Sequence, residues 1–490
     1  MAERGTILKL TEENVKIGEN KPECFAEKNE YSQIHVLPAE ILSLVFQQAC
    51  FSEERMEINL SRVCRLWRSI TISSPFLWST FTYCDRLPEV KRLSIYLERS
   101  GNYPVDLRLD IPCGDRTTVV QALLDKAIEH VARWRRFSLV VHEDSWPSGD
   151  IFAPLVEVSA PLLRHFEVFT SAKNFYEPDY DPLNPFPRSF RGSAPLLSCV
   201  RVDSNSLTCC MPHSNITTLE IQKPGLAGRT IVFPFSDALY LFQLPLINLS
   251  LIGDIFDTPQ IEPRQKITTT LKTFRCNDSV GLYICKYLHA PQLELLILRN
   301  DFFRRYANPF IDSSLATFPS LHTLSLIDCT ASSFDDLSHF AQATESISHL
   351  YIWHSSLFLS QVHDPLYRMA KGSPQTILWP RLNILTYILN LARDEHIIDT
   401  LDFDSYPEVF ESRSSILKMH CTLELCPGDA QRWKAYRPTS WKRLEEGGFY
   451  REMRARGEDG GDYLPFPPTS FEELHSGSED PFMKAHDEVY

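Results

Sequence analysis

The sequence is poor in glycine, with 18 residues in 490, and it contains none of the glycine-rich phosphate-binding motifs of nucleotide-binding proteins. It has no pair of cysteines separated by two residues, which excludes zinc ribbons and RING-type metal sites. It also lacks the Gly-x-Ser-x-Gly elbow of many hydrolases. These absences predict a protein that is not an enzyme and that uses no cofactor or metal ion.

Long apolar runs and an excess of basic charge are missing as well. The most apolar stretch, residues 238–253, is interrupted by polar side chains and is shorter than the roughly 20 residues of a membrane span. The formal charge of −14 disfavours binding to a phosphate backbone. We therefore expect neither a membrane nor a nucleic acid as partner.

The composition is that of an ordinary globular protein, with 43% hydrophobic and 23% charged residues. The thirteen cysteines are scattered and odd in number, and no secretion signal precedes them. This usage predicts a reduced protein in the cytoplasm, the nucleus or both. Cys209, Cys210 and His213 come nearest to a metal-ligand cluster, but ordinary thiols are the favoured interpretation because a fourth ligand is missing.

One phrase, Leu-x-x-Leu-x-Leu, recurs from residue 104 onward at intervals averaging about 28 residues. Its last two apolar positions alternate with polar ones, as in a short strand with one buried face. The apolar positions of its eleven copies are Leu107/Leu109, Trp134/Phe137/Leu139, Leu163/Phe166/Val168, Leu197/Val200/Val202, Ile216/Leu219/Ile221, Leu246/Leu249/Leu251, Leu271/Phe274/Cys276, Leu293/Leu296/Leu298, Leu321/Leu324/Leu326, Ile347/Leu350/Ile352 and Leu382/Leu385.

Helical patterns lie between the copies, over residues 117–134 and again around Phe334, Leu337 and Phe340. Strand, crossover helix and strand in repetition is the pattern of a solenoid, and the spacing falls in the range of leucine-rich repeats. We therefore predict an α/β fold in which an irregular leucine-rich-repeat solenoid occupies residues 104–426. The alternative is a set of strands from unrelated α/β folds.

A different pattern stands near the N-terminus. The segment Leu37-Pro38-x-Glu40-Ile41-Leu42 predicts a helix, with proline in its first turn and an apolar face. A second helix is predicted around Val63, Cys64 and Trp67, followed by Pro75-x-Leu77-Trp78. Together the two helices carry more apolar surface than so small a unit buries by itself, which indicates a docking module. The alternative is that these residues are the core of a helical subdomain without a partner.

These two motifs together resemble an F-box, over about 45 residues. The resemblance implies a small helical module that binds the Skp-type linker subunit of cullin–RING ubiquitin ligases. It also implies which residues face the linker subunit or support that face. They are Leu37, Pro38, Ile41, Leu42, Val45, Phe46, Val63, Cys64 and Trp67. The rest of the chain is similar to the large F-box families of mushroom-forming fungi, on the phrase Leu97-Glu98-Arg99-Ser100-Gly101 and on the Ala-Pro starts of several copies.

The predicted organisation has five parts. Residues 1–33 form a flexible leader, 34–82 the F-box, 83–103 a linking helix, 104–426 the repeats, and 427–490 a basic-aromatic segment followed by an acidic tail that is expected to be disordered.

The function expected from this organisation is that of a substrate-recognition adaptor. The F-box would dock onto the linker subunit, and the repeats would bind a protein target for ubiquitylation. The alternative is a scaffolding protein that delivers no target. Target contacts are expected from the residue between the last two apolar positions of each copy, because it points away from the core. These candidates are Arg108, Glu167, Arg201, Glu220, Arg275, Ser325 and Tyr351.

Overall fold

The structure is a computed structural model of the chain. It describes residues 33–52, 55–83, 90–111, 117–141, 153–170, 188–190, 192–207, 211–212, 215–223, 232–253, 255–257, 267–277, 280–299, 302–303, 318–331, 333–354, 364–372, 376–389 and 401–453. The predicted leader (1–33), apart from Gln33, and the acidic tail (457–490) lie outside these residues, as do Cys209, Cys210 and His213.

The chain divides into two compact units, the first ending at Leu77 and the second beginning at Trp78. The first unit is helical. It contains a 3-10 turn at Gln33–Val36 and the helices α1 (Ala39–Ser52), α2 (Met56–Val63) and α3 (Arg65–Ser73). A further 3-10 turn, Pro75–Trp78, follows α3.

The second unit is built on a fourteen-stranded sheet whose strands follow one another in chain order, each parallel to its neighbours. The strands are β1 (Thr80–Tyr83), β2 (Val105–Ile111), β3 (Trp134–Val141), β4 (His165–Thr170), β5 (Cys199–Asp203), β6 (Thr218–Gln222), β7 (Asn248–Ile252), β8 (Thr273–Asn277), β9 (Leu295–Arg299), β10 (Thr323–Ile327), β11 (His349–Trp353), β12 (Ile384–Ile388), β13 (Thr422–Leu425) and β14 (Tyr450–Glu452).

Helices connect many of these strands. They are α4 (Val90–Arg99), α5 (Thr117–Ile128), α6 (Ala153–Val156), α7 (Ser204–Leu207), α8 (Phe235–Leu241), α9 (Val280–Tyr287), α10 (Phe334–Ala343), α11 (Pro365–Lys371), α12 (Tyr406–Leu417), α13 (Pro427–Tyr436) and α14 (Pro438–Glu446). A 3-10 turn, Val131–Arg133, precedes β3. Three short parallel pairs lie outside the large sheet: Arg188–Ser189 with Met211–Pro212, Ile267–Thr268 with Leu288–His289, and Phe302–Phe303 with Thr330–Ala331.

Every copy of the repeated phrase forms a strand of the large sheet, and the register aligns the copies. Leu107 pairs with Phe137, Phe137 with Phe166, and the same apolar row continues through β12. These side chains are all buried, because the apolar residues of a period-two pattern share one face of the sheet. The predicted mixed α/β architecture, with a helical N-terminal region and a long parallel sheet, is confirmed.

Helix α4 lies within residues 83–103, the segment for which a linking helix is predicted. Leu93, Tyr96 and Leu97 are buried along one face of this helix. Gly101 has a positive φ of 54°, a conformation that glycine adopts without steric cost, and its N–H donates to Glu98 O. Further along the sheet, Cys329 follows β10, is buried and donates its S–H to Leu298 O of the adjacent strand β9.

The sheet extends beyond both boundaries predicted for the repeats, residues 104 and 426. Strand β1 precedes the first copy, and β14 adds a last strand after α14. These strands were missed because Thr80–Tyr83 and Tyr450–Glu452 contain no Leu-x-Leu pair. The aromatic residues Trp433, Trp441 and Phe449 of the predicted basic-aromatic segment are buried, so they belong to the core of the second unit.

Candidate functional site

The first unit folds around a small apolar core supplied by all three helices. Leu42 and Phe46 of α1 are fully buried, and the Phe46 ring lies 4.7 Å from the Trp67 ring of α3. Leu60 of α2 and Ile70 of α3 are also buried. Residues 42 and 46 are one helical turn apart, so they share one face of α1.

Local hydrogen bonds begin and hold these helices. Pro38 precedes α1, and its carbonyl accepts the N–H of Leu42 at 3.0 Å. The Cys64 Sγ caps α3 by accepting the N–H of Trp67 at 3.4 Å. Arg68 Nε donates to Ser61 O at 2.8 Å and so links α3 to α2. The extended backbone at Cys64 therefore ends α2 and begins α3, the helix that carries Trp67.

A second apolar face of α1 is left open. Leu37, Ile41, Leu44 and Val45 are 39%, 43%, 61% and 46% exposed. Ile41, Leu44 and Val45 are three and four residues apart and so lie side by side on α1, next to the buried face of Leu42 and Phe46, while Leu37 precedes the helix by two residues. We call these four residues the α1 stripe. Aliphatic side chains in such a row are typical of protein–protein interfaces.

A further apolar pair is exposed where α2 meets α3. Val63 and Leu66 are more than two-fifths exposed and flank Cys64. Three exposed arginines, Arg62, Arg65 and Arg68, surround this pair. The surface therefore combines exposed aliphatic groups with positive charge, a composition that suits a partner with apolar contacts and an acidic rim.

The structure sorts the nine predicted linker-binding residues by exposure. Leu37, Pro38, Ile41, Val45 and Val63 are exposed, Cys64 and Trp67 are partly buried, and Leu42 and Phe46 are core. The last two can only support the surface. Sequence reasoning left out Val36, Leu44, Leu66 and Ile72, which are exposed apolar side chains of the same unit. The exposure of Leu44 beside Ile41 could have been predicted from the sequence, since the two residues are three positions apart and so lie on the same side of the helix.

The Cys50 thiol of α1 is a poor candidate for nucleophilic chemistry. Burial, together with the charge of Glu57, raises the pKa of Cys50 to about 12. A thiol with so high a pKa stays protonated at neutral pH and is a poor nucleophile. Within the described ranges, no group of three His, Cys, Asp or Glu side chains could hold a metal ion.

The seven predicted target-binding residues lie on the second face of the large sheet, but five of them are buried. The expectation of an open surface is wrong for Glu167, Glu220, Arg275, Ser325 and Tyr351. Arg108 is partly exposed and pairs with Asp110 at 3.1 Å, while the Arg201 side chain is 11% exposed.

Ion pairs between strands satisfy the buried charges of this set. Arg201 of β5 contacts Glu167 of β4 and also Glu220 of β6, the latter at 2.7 Å. Glu220 in turn contacts Arg275 of β8 at 2.7 Å, and Arg275 Nε donates to Ser250 of β7 at 2.8 Å. We call Glu167, Arg201, Glu220 and Arg275 the buried charge row.

The pKa shifts in this row follow from two opposed effects. Burial by itself would raise the pKa of Glu220, but Arg201 and Arg275 outweigh it, and the pKa is lowered. The same balance, with Arg201 as the main counter-charge, lowers the pKa of Glu167. Both carboxylates are therefore ionised and paired at neutral pH.

The part of the chain that the structure describes contains no helix long and apolar enough to cross a membrane.

In a comparison with curated proteins, none matches the chain. A comparison with protein families finds a match to the F-box-like family at residues 34–83, which covers the helices of the first unit and ends with β1. The chain thus contains an F-box-like domain, and the α1 stripe is an exposed apolar row within it.

Proposed function

We propose that this protein is a substrate-recognition adaptor of a cullin–RING ubiquitin ligase of the SCF type. The observation that carries the proposal is the F-box-like match over the same residues that expose the α1 stripe. An F-box module typically binds the Skp-type linker subunit, and an aliphatic row on a helix suits that role. Burying this row removes apolar surface from water and so favours association.

The second unit is proposed to bind a protein target. Eleven similarly phrased strands in one parallel sheet support an irregular leucine-rich-repeat solenoid, a fold that offers extended surfaces. A target held there would be close to the conjugating enzyme, and its effective concentration would rise accordingly. On this proposal the protein itself performs no catalysis, needs no cofactor and acts inside the cell. The similarity to fungal F-box families stays a prediction.

One observation favours the alternative of a scaffolding protein without a target. The residues first expected to contact a target are mostly buried in ion pairs, so they cannot present themselves to a partner. Such a protein would bind the linker subunit but would not deliver a substrate.

The test is co-purification of the full chain with a recombinant Skp-type linker subunit. The variant Ile41→Asp/Val45→Asp places two charges in the α1 stripe without touching Leu42 or Phe46, and we expect it to lose the complex. The matched control is Ile95→Asp, which alters an exposed aliphatic residue of α4 in the second unit. Failure of the unaltered chain to bind, under conditions where another F-box protein binds, would refute the proposal. Ubiquitylation of a cellular protein that requires Ile41 and Val45 would separate the adaptor from the scaffold.

A further inference from the structure

The large sheet ends at two edge strands, and the first of them, β1, is capped. Residues of β1 alternately face β2 and the opposite side, and Ser79 O accepts the N–H of Asp106 in β2 at 2.8 Å. Thr82, three residues later, therefore turns its backbone groups away from β2. Its carbonyl accepts from Arg92 Nη2 of α4 at 2.7 Å, and the same guanidinium lies 4.5 Å from the centre of the Phe81 ring. A side chain of the protein thus occupies this outward carbonyl.

The other edge strand, β14, has no such cap. Its residues 449, 451 and 453 face β13, as the hydrogen bond from Met453 N–H to Leu425 O at 2.9 Å shows. The backbone N–H and C=O groups of Tyr450 and Glu452 therefore point to the opposite side. Among the described residues these groups have no hydrogen-bond partner. Two donors and two acceptors are thus left unpaired along the edge of the sheet.

Unpaired groups in this arrangement define the chemistry of the partner that fits them. Backbone N–H and C=O groups are strong hydrogen-bonding groups that gain from a partner. Those of Tyr450 and Glu452 are two residues apart, roughly 7 Å along the strand, which is the repeat of an extended chain. Addition of an extended segment to an open sheet edge is a recurrent mode of peptide recognition. The edge therefore suits an extended segment and does not suit a helix.

The side chains of β14 specify the segment further. The Tyr450 ring is half-buried and lies 4.6 Å from the Trp441 ring of α14, so it offers an aromatic surface beside the edge. Glu452 is exposed, and in the described part of the chain no basic side chain pairs with its carboxylate. Arg451, in contrast, is already paired with Glu424. Because residues 450 and 452 are two positions apart, an incoming segment meets the aromatic ring and the unpaired negative charge on one face.

Charge disfavours the two occupants that this chain could supply from its own sequence. If β14 paired antiparallel with β14 of a second copy about Arg451, two arginines would lie opposite each other, and Glu452 would face Tyr450 instead of a basic residue. Residues 457–490 contain nine acidic side chains and one basic side chain, so they offer little positive charge to Glu452. The net charge of −14 favours the approach of a basic partner.

We propose that β14 binds an extended segment of the target protein as a further strand, with a basic side chain beside Glu452 and an aromatic or aliphatic side chain beside Tyr450. The two side chains of the segment would be two positions apart. The site lies on the edge of the sheet, so it does not require an open sheet face. This deepens the proposed adaptor function and rests on it only for the fate of the bound protein.

The experiment is a selection of random dodecapeptides displayed on phage against the immobilised full chain. We expect the enriched peptides to share a basic residue two positions from an aromatic or aliphatic one. The best peptide is then measured by fluorescence anisotropy, with each of its backbone nitrogens methylated in turn. Methylation should weaken binding at least tenfold at alternate positions, those whose N–H faces β14, and less than twofold at the positions between them. Side-chain contacts alone would not produce this alternation.

Variants of one edge residue test the site on the protein. Glu452→Pro removes an outward N–H and leaves the bonds that residues 451 and 453 make to β13, so thermal unfolding should show a folded chain while peptide binding falls at least tenfold. Glu452→Lys should weaken the basic peptide tenfold and improve binding of the same peptide with its basic residue changed to glutamate. The matched control Glu98→Lys makes the same charge change at an exposed residue of α4 and should leave the affinity within twofold.

Several results would overturn the proposal. They are no enrichment of the spaced pair, an unchanged affinity in Glu452→Pro, and a uniform response to methylation. Enrichment of acidic peptides that resemble residues 457–490 would assign the edge to that segment instead. A dimer in light scattering that Glu452→Pro abolishes would assign it to a second copy. Co-purification with the linker subunit, measured in parallel, reports the first proposal separately, since none of these changes touches the α1 stripe.

Discussion

The α1 stripe allows a quantitative prediction for the variant Leu37→Ala/Ile41→Ala/Val45→Ala. The three side chains are 39–46% exposed, so a little under half of each is available for burial by a partner. Complete burial of such a side chain is worth roughly 1.5–3 kcal/mol. The exposed parts of the three together would then contribute about 2–4 kcal/mol to docking. We expect the dissociation constant of the linker complex to rise roughly 25- to 800-fold.

The assay is isothermal titration of the full chain with the recombinant linker subunit, accompanied by thermal unfolding. The same three changes should lower stability only modestly, because alanine favours helix and the core residues are untouched. Phe46→Ala serves as the opposite case, since this ring is fully buried and its loss costs about 3–5 kcal/mol of folding free energy. An affinity within threefold of the unaltered chain would refute the assignment of the stripe.

Three further outcomes follow from buried groups. Glu220→Ala should cost about 3–5 kcal/mol in urea unfolding because Arg201 and Arg275 lose a buried partner, whereas Glu294→Ala, which breaks an exposed pair with a lysine, should cost at most about 1 kcal/mol. Cys50 should react with iodoacetamide at pH 8 far more slowly than an unperturbed thiol, because burial and Glu57 raise its pKa to about 12. His349 should titrate in NMR spectra near 4, since burial lowers its pKa from 6.5. The unfolded chain then takes up the proton first as the pH falls, so the stability from neutral His349 is lost between about pH 6.5 and 4, and a midpoint near 6.5 would contradict this.

The strands could be predicted from the sequence because one pattern governs them. The apolar row that includes Leu219, Leu249 and Leu296 repeats with the period-two alternation that any half-buried strand needs. Strand β13 was not counted among the copies although it contains the pair Leu423 and Leu425, and strands β1 and β14 were missed because nothing in Thr80–Tyr83 or Tyr450–Glu452 repeats the phrase. Strands β1 and β14 are placed by backbone hydrogen bonds to a neighbouring strand of the sheet. Such bonds require no particular residue pattern, so the sequence of the two strands does not reveal them.

For the candidate site, the helical period of the sequence identified α1. It could not show which apolar residues of α1 are buried and which are exposed. Ile41 and Val45 are as apolar as Leu42 and Phe46, and they differ only in which side of the helix meets the Trp67 ring. That division depends on the packing of α3 against α1. Sequence periodicity alone cannot supply it when the apolar arc covers more than half of the helix.

The second face of the sheet shows a signal that was available and unused. Glu167, Arg201, Glu220 and Arg275 occupy the same position of four copies and alternate in sign along the chain. If neighbouring copies are adjacent strands, alternation at one register position indicates ion pairs between strands rather than contacts with a partner. Serine at position 250 interrupts the series, and its small side chain lets Arg275 reach Glu220 across β7.

This alternation also bears on how the strands come into the right order. The apolar row is nearly uniform, so it would let many pairs of copies associate equally well. The buried charge row does not. Pairing β4 directly with β6 would set Glu167 beside Glu220, and two buried carboxylates cannot both stay ionised at that distance. The buried charge row therefore penalises a pairing that skips β5, which the apolar row alone would allow.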